Sequence, residues 1–214
     1  MIADAKRVCV VLVTFNPASS VVELVNALFT QKAGDVVVID NTPTPPFFSD
    51  FPTTQFCRMP VVISNRENFG IARALNQGCE EAIRRGYRLA ITLDQDTKTD
   101  CFFITRIVTL YEKLIERDKS IAVLGANYID RGVGKPAYSV DASNGAIAVK
   151  ELITSGSLIP LDIFTSLSGF EEKLFIDMVD AEYCLRARKA GYSRWRTAAP
   201  LMHDSVGNVT ICNV

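Results

Sequence analysis

The sequence has one histidine, one tryptophan, no appreciable excess of either charge and no long apolar run. Each shortage excludes something. With 23 Lys+Arg against 24 Asp+Glu the formal charge is -1, so no global field draws the chain to nucleic acid or to an anionic membrane. The apolar run near the start, Val8 to Val13, is far short of the roughly 20 residues that span a bilayer. It is short even for a signal-peptide core, and no small-residue cleavage site follows it. Six cysteines (Cys9, Cys57, Cys79, Cys101, Cys184, Cys212) form no CxxC pair and no cluster, which reads as reduced thiols rather than disulfides or a zinc knuckle. His203 alone leaves an ordinary Cys/His zinc site little to draw on. No GxGxxG follows the first strand pattern and no GxxxxGK precedes Ser or Thr, so a Rossmann dehydrogenase and a P-loop NTPase are both out. What remains is 214 residues of ordinary globular composition, read as one soluble, cytosolic, enzyme-sized domain.

Strand and helix patterns alternate through the first half. Val8–Val13 is a valine-rich run typical of a strand buried on both faces. Pro17 to Gln31 carries Val21, Leu24, Val25 and Leu28 at helical spacing, and Val36–Ile39 is a second strand ending at Asp40-Asn41. Five prolines between Thr42 and Pro60 forbid regular structure there. Val61–Ser64 is a short third strand. A helix from Gly70 to Arg85 has an apolar stripe of Ile71, Ala74, Leu75, Gly78, Cys79, Ala82 and Ile83. Leu89–Leu93, a helix over Phe102–Ile115 and a strand at Ile121–Leu124 follow. This rhythm predicts a doubly wound, mostly parallel α/β sheet with helices on both faces. It breaks after Gly125. Tyr128 to Ile153 reads as loops and short strands, then come a helix near Pro160–Ser166, a helix over Ala181–Ala190 and a strand-like Ser193–Thr197. The expectation is a single domain, 1–214, with a nucleotide-binding half (1–125) and a smaller mixed half (126–214).

In an open α/β sheet, ligands bind outside the carboxyl ends of the strands. Those ends are Thr14-Phe15-Asn16, Asp40-Asn41, Asn65-Arg66 and Asp94-Gln95-Asp96, four polar ends at one edge. Without a glycine cradle, a diphosphate needs another source of positive charge. Asp94 and Asp96 can share a hard divalent cation; a solvated Asp-rich turn explains the tripeptide equally well. Downstream, Phe175 through Asp180 brings Asp177 and Asp180 to the start of a helix. There Asp180 fits an N-cap and a general base equally, and one residue can be both. Glu182 and Arg186 read as a surface pair, and Arg84-Arg85 and Arg186/Arg188/Lys189 as solvated faces.

Val10 to Asn16, Val38-Ile39-Asp40-Asn41, Asn68 to Gly78, Leu93 to Thr97, Thr154-Ser155-Gly156-Ser157, Gly169 to Glu172 and Asp177 through Gly191 together resemble the inverting family 2 glycosyltransferases, which have the GT-A fold. Within that family the chain is most similar to bacterial rhamnosyltransferases of surface-polysaccharide assembly such as lipopolysaccharide O-antigen, through Asp-Gln-Asp-Thr and Phe-Ile-Asp-Met-Val-Asp-Ala-Glu. The resemblance implies nucleotide contacts from Thr14, Asp40, Asn68, Arg73 and Asp94, with Asp40 accepting a pyrimidine N3–H. It implies a Mg2+ or Mn2+ ion held by Asp96 and His203, a sugar or acceptor pocket at Ser155, Gly156 and Asp177, and Asp180 as catalytic base. The implied donor is a nucleoside-diphosphate sugar, dTDP-rhamnose, and the acceptor a saccharide or lipid-linked hydroxyl. No nucleic-acid partner is expected. The place is the cytoplasm, with peripheral contact at the inner face of the cell membrane. Another nucleotide sugar, such as a UDP-sugar for galactofuranosyl transfer, and a non-catalytic sugar-nucleotide-binding domain are the alternatives. Rhamnosyltransferases of this group continue with further helices where this chain has 11 residues beyond His203, which leads us to expect an incomplete acceptor side.

Overall fold

The computed structural model describes residues 8–44, 47–50, 53–130 and 145–203. The expected element order appears with small shifts. It runs β1 (Val8–Thr14), α1 (Ser20–Thr30), β2 (Val36–Pro43), β3 (Val61–Arg66), α2 (Gly70–Arg84), β4 (Leu89–Asp94), α3 (Phe103–Ile115) and β5 (Ile121–Asp130), then β6 (Ala146–Ala148), β7 (Ser157–Pro160), α4 (Leu161–Ser166), α5 (Val179–Lys189) and β8 (Ser193–His203). Among the described residues of the proline-rich excursion, two short 3-10 turns lie at Phe47–Asp50 and Thr53–Gln55.

One eight-stranded sheet has the order β3-β2-β1-β4-β7-β5-β8-β6. β1 occupies the middle of the parallel half because all seven of its residues are apolar or tolerate burial, and all seven are buried. The period-2 alternation divides them. Val8, Val10 and Leu12 enter the core layer beneath α1 and α3, while Cys9, Val11 and Val13 enter the layer beneath α2, α4 and α5. Burial pushes the Cys9 thiol up to about 12 and the Cys184 thiol up to about 11, so both stay protonated and unreactive near neutral pH.

Three differences from the sequence reading have physical causes. β7, which the sequence reading did not mark as a strand, runs antiparallel between β4 and β5. Its four residues end in Pro160, too short a pattern to announce a strand, yet all four are buried. β5 and β8 extend well past their expected ends because they pair with each other, from Ile121↔Ser193 to Asp130↔His203. Gly125 lies within β5 because Leu152 packs against the strand there; an added Cβ would lie 2.5 Å from Leu152 Cδ2. The apolar stripe of α2 is rotated: Ile83 is 40% exposed, and Ala72 and Asn76 are buried in its place. Asn76 turns inward because its side-chain oxygen accepts from the Phe170 N–H at 2.7 Å and its Nδ2 donates to the Phe170 carbonyl at 3.0 Å. Among the described residues, no helix is long and apolar enough to cross a membrane.

Candidate active site

The parallel register places Thr14 beside Asp40 and Val13 beside Asp94, so the polar ends of β1, β2 and β4 share one edge. A cavity of about 170 Å3 opens there, lined by Thr14, Phe15, Asn41, Asn68, Asp94 and Gln95 and roofed by Phe175 and Ile176. The roof stays close because the Ile71 N–H, at the start of α2, donates to the Phe175 carbonyl at 2.7 Å. Gly70 permits that crossing: its φ is +81°, and a Cβ there would lie 2.3 Å from the same carbonyl oxygen.

Beneath the cavity is a polar web. Asn68 accepts from the Gly70 N–H (3.0 Å) and from Asn41 Nδ2 (3.4 Å), which places its side chain at the cavity wall. Asn41 also accepts from Asn65, and Asn65 and Gln77 exchange hydrogen bonds at 2.8 and 2.9 Å. Gln95 was not singled out by the sequence reading. Its Oε1 accepts from the Phe15 N–H at 2.7 Å and its Nε2 donates to the Phe15 carbonyl at 3.2 Å, fastening the end of β4 to the end of β1. Only a strand-end position within the Asp-Gln-Asp turn hinted at this.

Asp40, expected at the nucleotide, lies at the buried end of β2. Its carboxylate is 0% exposed; Oδ1 accepts from Thr14 Oγ1 (3.2 Å) and the Thr42 N–H (3.0 Å), and Oδ2 accepts from the Phe47 N–H (3.0 Å). The side chain thus ties Thr14 to the end of β2 and to Phe47. Arg73, also expected near the nucleotide, is on α2. Its guanidinium lies 3.8 Å over the Phe69 ring on the exposed side of α2, outside the cavity lining.

Beyond β4 the edge continues through the start of β7. The buried Ser155 receives the Asp94 N–H on its Oγ (3.2 Å) and pairs with Thr97 Oγ1 (2.8 Å). Gly156, at φ +76°, gives its N–H to Thr92 and accepts from Ala126. Ser155 and Gly156 thus bind the Asp94–Thr97 turn to β7 and β5. Asp96 stands exposed on that turn, and Asp177 is exposed on the segment leading to α5.

Asp180 lies in the first turn of α5 rather than at its cap. The cap position is Met178, a non-glycine residue at φ 65°, and Asp180 Oδ1 accepts from the Ala181 N–H at 2.7 Å. Burial raises the Asp180 carboxyl above the ordinary carboxylate value. The Ala181 N–H and its own N–H pull it back, and the neighbouring Glu151 and Asp94 carboxylates push it up further. A second cavity, of about 120 Å3, lies against Asp180 and is also lined by Glu151, Ala126 and Arg196.

Mg2+ and Mn2+ prefer hard oxygen ligands, and Asp94 and Asp96 offer carboxylates two residues apart. Among the described residues no cluster of three or more His, Cys, Asp or Glu side chains forms a ready-made metal site. The donor set therefore fits an ion that arrives with phosphate oxygens rather than one caged by protein alone. The backbone of His203 ends β8 opposite Asp130; its side chain lies outside the described residues.

A larger hollow of about 850 Å3 lies away from this edge, between α2, α4 and α5. Among its polar groups, Asn76, Glu172, Arg84 and Arg186 bond within the protein. Arg186, expected to form a surface pair, is half-buried: beyond Glu182 it also donates to the Leu167 and Gly169 carbonyls and so clamps α5 to the end of α4.

The family model that describes glycosyl transferase family 2 matches residues 9–155. The chain belongs to that family. Thr14, Asp40, Asn68, Asp94, Asp96 and Ser155 fall within the match, and Gly156, Asp177, Asp180 and His203 lie beyond it. Among curated proteins, the dTDP-rhamnosyl transferase RfbF of Shigella flexneri is 28% identical over 195 residues, which cover 85% of this chain and 63% of that protein. The chain thus spans less than two thirds of that relative's length. Among solved structures, a crystal structure of GalNAc-T7 with UDP, GalNAc and Mn2+ superposes with a TM-score of 0.73 over 92% of this chain and 44% of that one. At 14% identity this establishes a shared fold, the GT-A arrangement. The family 2 chain therefore has its sheet edge where that fold class places ligands.

Proposed function

We propose that this chain is a single catalytic domain that moves L-rhamnose from dTDP-rhamnose to a hydroxyl of a saccharide or lipid-linked acceptor, with inversion. The name of the Shigella relative supports the donor, and the UDP bound in the structural neighbour supports a nucleoside-diphosphate leaving group. The observation that carries the reading is the placement of Asp180. A half-buried carboxyl with raised proton affinity stands within electrostatic reach of Asp94, which lines the Thr14–Asn68 cavity. A base poised closer to neutral pH than an ordinary carboxylate is what proton removal from a sugar hydroxyl requires.

In this scheme the residues up to about 125 hold the nucleotide. Thr14, Asn68 and Asp94 line its cavity, and Asp40 and Gln95 fix Thr14 and Phe15 from behind. Asp180 takes the acceptor hydroxyl proton as that oxygen forms its bond to the anomeric carbon. The bond from that carbon to the diphosphate oxygen breaks, and dTDP leaves with the electron pair. The carbon passes through an oxocarbenium-like state, and with one base and no enzyme nucleophile the configuration inverts. Asp96, together with His203, would hold a Mg2+ or Mn2+ ion on the diphosphate. Such an ion supplies neutralisation of the charge that grows on the leaving group. Ser155, Gly156 and Asp177 border the sugar. Action on lipid-linked acceptors places the enzyme in the cytoplasm at the inner membrane face, in bacterial O-antigen or related polysaccharide assembly.

Calorimetric titration of dTDP, UDP and GDP, each with and without Mn2+, tests the donor site. Metal-dependent binding with dTDP tightest is expected. UDP tightest would keep the transferase and move the sugar, whereas no binding by any of the three would reject the reading.

A further inference from the structure

The 850 Å3 hollow between α2, α4 and α5 continues past α4. A smaller one of about 200 Å3, lined by Tyr87, Arg88, Leu161 and Asp162, shares Ile83 and Thr165 with it, so the two make one groove. Phe164, Leu167 and Phe170 give the larger part a buried apolar lining, and Ile83 stands 40% exposed between the two parts. The charge of the groove is one-sided. Arg84 and Arg186 line it, but each is matched on its own helix, by Glu81 and Glu182. Glu80, Glu171 and Glu172 are exposed along the same lining and have no ion pair among the described residues.

The opposite sign stands on the outer face of α5. Arg188 and Lys189 follow Leu185 by three and four positions, so the three share one helix face, and all are exposed. Lysine and arginine suit the last turn of any helix, because its dipole favours them there. The 46% exposed Leu185 adds an apolar group to the same face, which matches the exposed Ile83 of the groove. Arg186, the residue after Leu185, lines the groove and donates to the Leu167 and Gly169 carbonyls, so α5 is itself one wall. Ridge and groove therefore lie side by side.

We infer that the groove receives the outer face of α5 from a second copy of this chain, in a two-fold dimer. Where a ridge and its complementary groove are neighbours on one surface, a two-fold axis between them seats each ridge in the partner's groove at once. Leu185 then covers Ile83, while Arg188 and Lys189 meet Glu80, Glu171 and Glu172. Symmetry counts the contact twice, which helps it reach the roughly 1,200 Å2 that specific association needs. A basic peptide from elsewhere would satisfy the groove alone; a second copy satisfies both patches. The contact grips the same helix whose first turn carries Asp180.

Sedimentation velocity on the full chain, from micromolar to submillimolar concentration, reads the association as mass. A monomer–dimer equilibrium is expected. It should loosen several-fold with salt, as the Debye length falls from about 10 Å at 0.1 M to about 3 Å at 1 M. Charge reversal locates the contact: Arg188→Glu with Lys189→Glu should raise the dimer Kd by about a hundredfold, and so should Glu80→Lys with Glu171→Lys. Mixed together, these two double variants should recover a heterodimer. The reversed ridge of one fits the reversed groove of the other, and the two unreversed patches still match. All four positions are exposed, so thermal melts of both variants should stay close to the parent. A monomer at every concentration, a dimer indifferent to either reversal, growth beyond dimers, or variants that stay monomeric when mixed would overturn the inference. Failure to bind dTDP by a chain that still dimerises would strike the donor reading and leave this contact standing.

Discussion

Replacing Asp180 with asparagine separates chemistry from binding and from folding. The substitution keeps the side-chain oxygen that accepts from the Ala181 N–H, so the turn that starts α5 is preserved. What it removes is the proton acceptor. General base catalysis contributes roughly 10²- to 10⁴-fold, so kcat for transfer should fall by that factor, about 2.7–5.5 kcal/mol of barrier. Nucleotide affinity should stay within about threefold, because Asp180 does not line the donor cavity. Stability should move the other way. Burial, first, and the Glu151 and Asp94 carboxylates raise the Asp180 carboxyl above its unfolded value. The folded chain therefore binds this proton more tightly than the unfolded chain does. The destabilisation from the charged form is absent below the unfolded pKa, near ~4, and complete only above the raised folded value. At pH 7 the variant should melt no lower than the parent, and the difference should vanish as the pH falls toward ~4. The activity of the parent should lose its acidic limb at a pH above that of an ordinary carboxylate. Initial rates of dTDP release from dTDP-rhamnose with acceptor present, dTDP calorimetry and thermal melts at several pH values make the comparison. A variant with more than a tenth of parental transfer, or with transfer and dTDP binding lost together, would refute the assignment of the base. A lower melting temperature at pH 7 would refute the account of its environment.

Gln95→Leu removes both hydrogen bonds to Phe15, neutral bonds worth about 0.5–1.5 kcal/mol each, and should raise the Kd for dTDP several-fold while lowering stability by about 1–2 kcal/mol in urea unfolding. Gly70→Ala meets both a left-handed φ and the Phe175 carbonyl, so hydrogen exchange at the Ile71 amide should speed up by at least tenfold as the roof segment lifts. Asp118 is held at about 2: against the burial that raises it, Ser120, Ser193 and Trp195 donate hydrogen bonds to its charged form. Its contribution is present above pH ~4 and lost as the pH falls toward 2, so Asp118→Asn should cost about 1–2 kcal/mol at pH 7 and little at pH 2.5 in chemical denaturation. Tyr183→Phe should be neutral or stabilising by up to about 1 kcal/mol in a thermal melt, since the buried Tyr183 hydroxyl has no hydrogen-bond partner among the described residues.

The parallel half of the fold was legible because its signals are local. A run such as Val-Cys-Val-Val-Leu-Val declares burial on both faces within six residues, and the polar residue that ends each strand declares the edge. β7 was not, since Ser-Leu-Ile-Pro becomes a strand only through its partners β4 and β5, which lie far away in sequence. The same division runs through the site. Thr14, Asp94 and Asp180 could be picked out from position alone, as polar groups at strand or helix ends, whereas Asn68 came only with the family resemblance. Asp40 was found for the same reason, but its environment was not: the Phe47 N–H that occupies Oδ2 belongs to a turn whose path the prolines conceal.

The residues that give the edge its shape are tied across long separations. Gln95 reaches Phe15 over 80 positions, Ser155 reaches Asp94 over 61, and Asn76 reaches Phe170 over 94. Each is an amide or hydroxyl that satisfies backbone groups at a strand end or loop, where no ladder bond is available. Such groups have no periodicity, so pattern reading passes over them, yet they join segments that lie far apart in the sequence. Because Ser155 holds the Asp94–Thr97 turn and Gly156 bonds to both β4 and β5, a change at this clasp moves Asp94 and the Asp180 cavity relative to one another. Ser155→Ala, which removes the hydroxyl and leaves the backbone, should therefore lower kcat for transfer by more than it raises the Kd for dTDP. Equal effects on the two would mean that the clasp shapes the donor cavity alone.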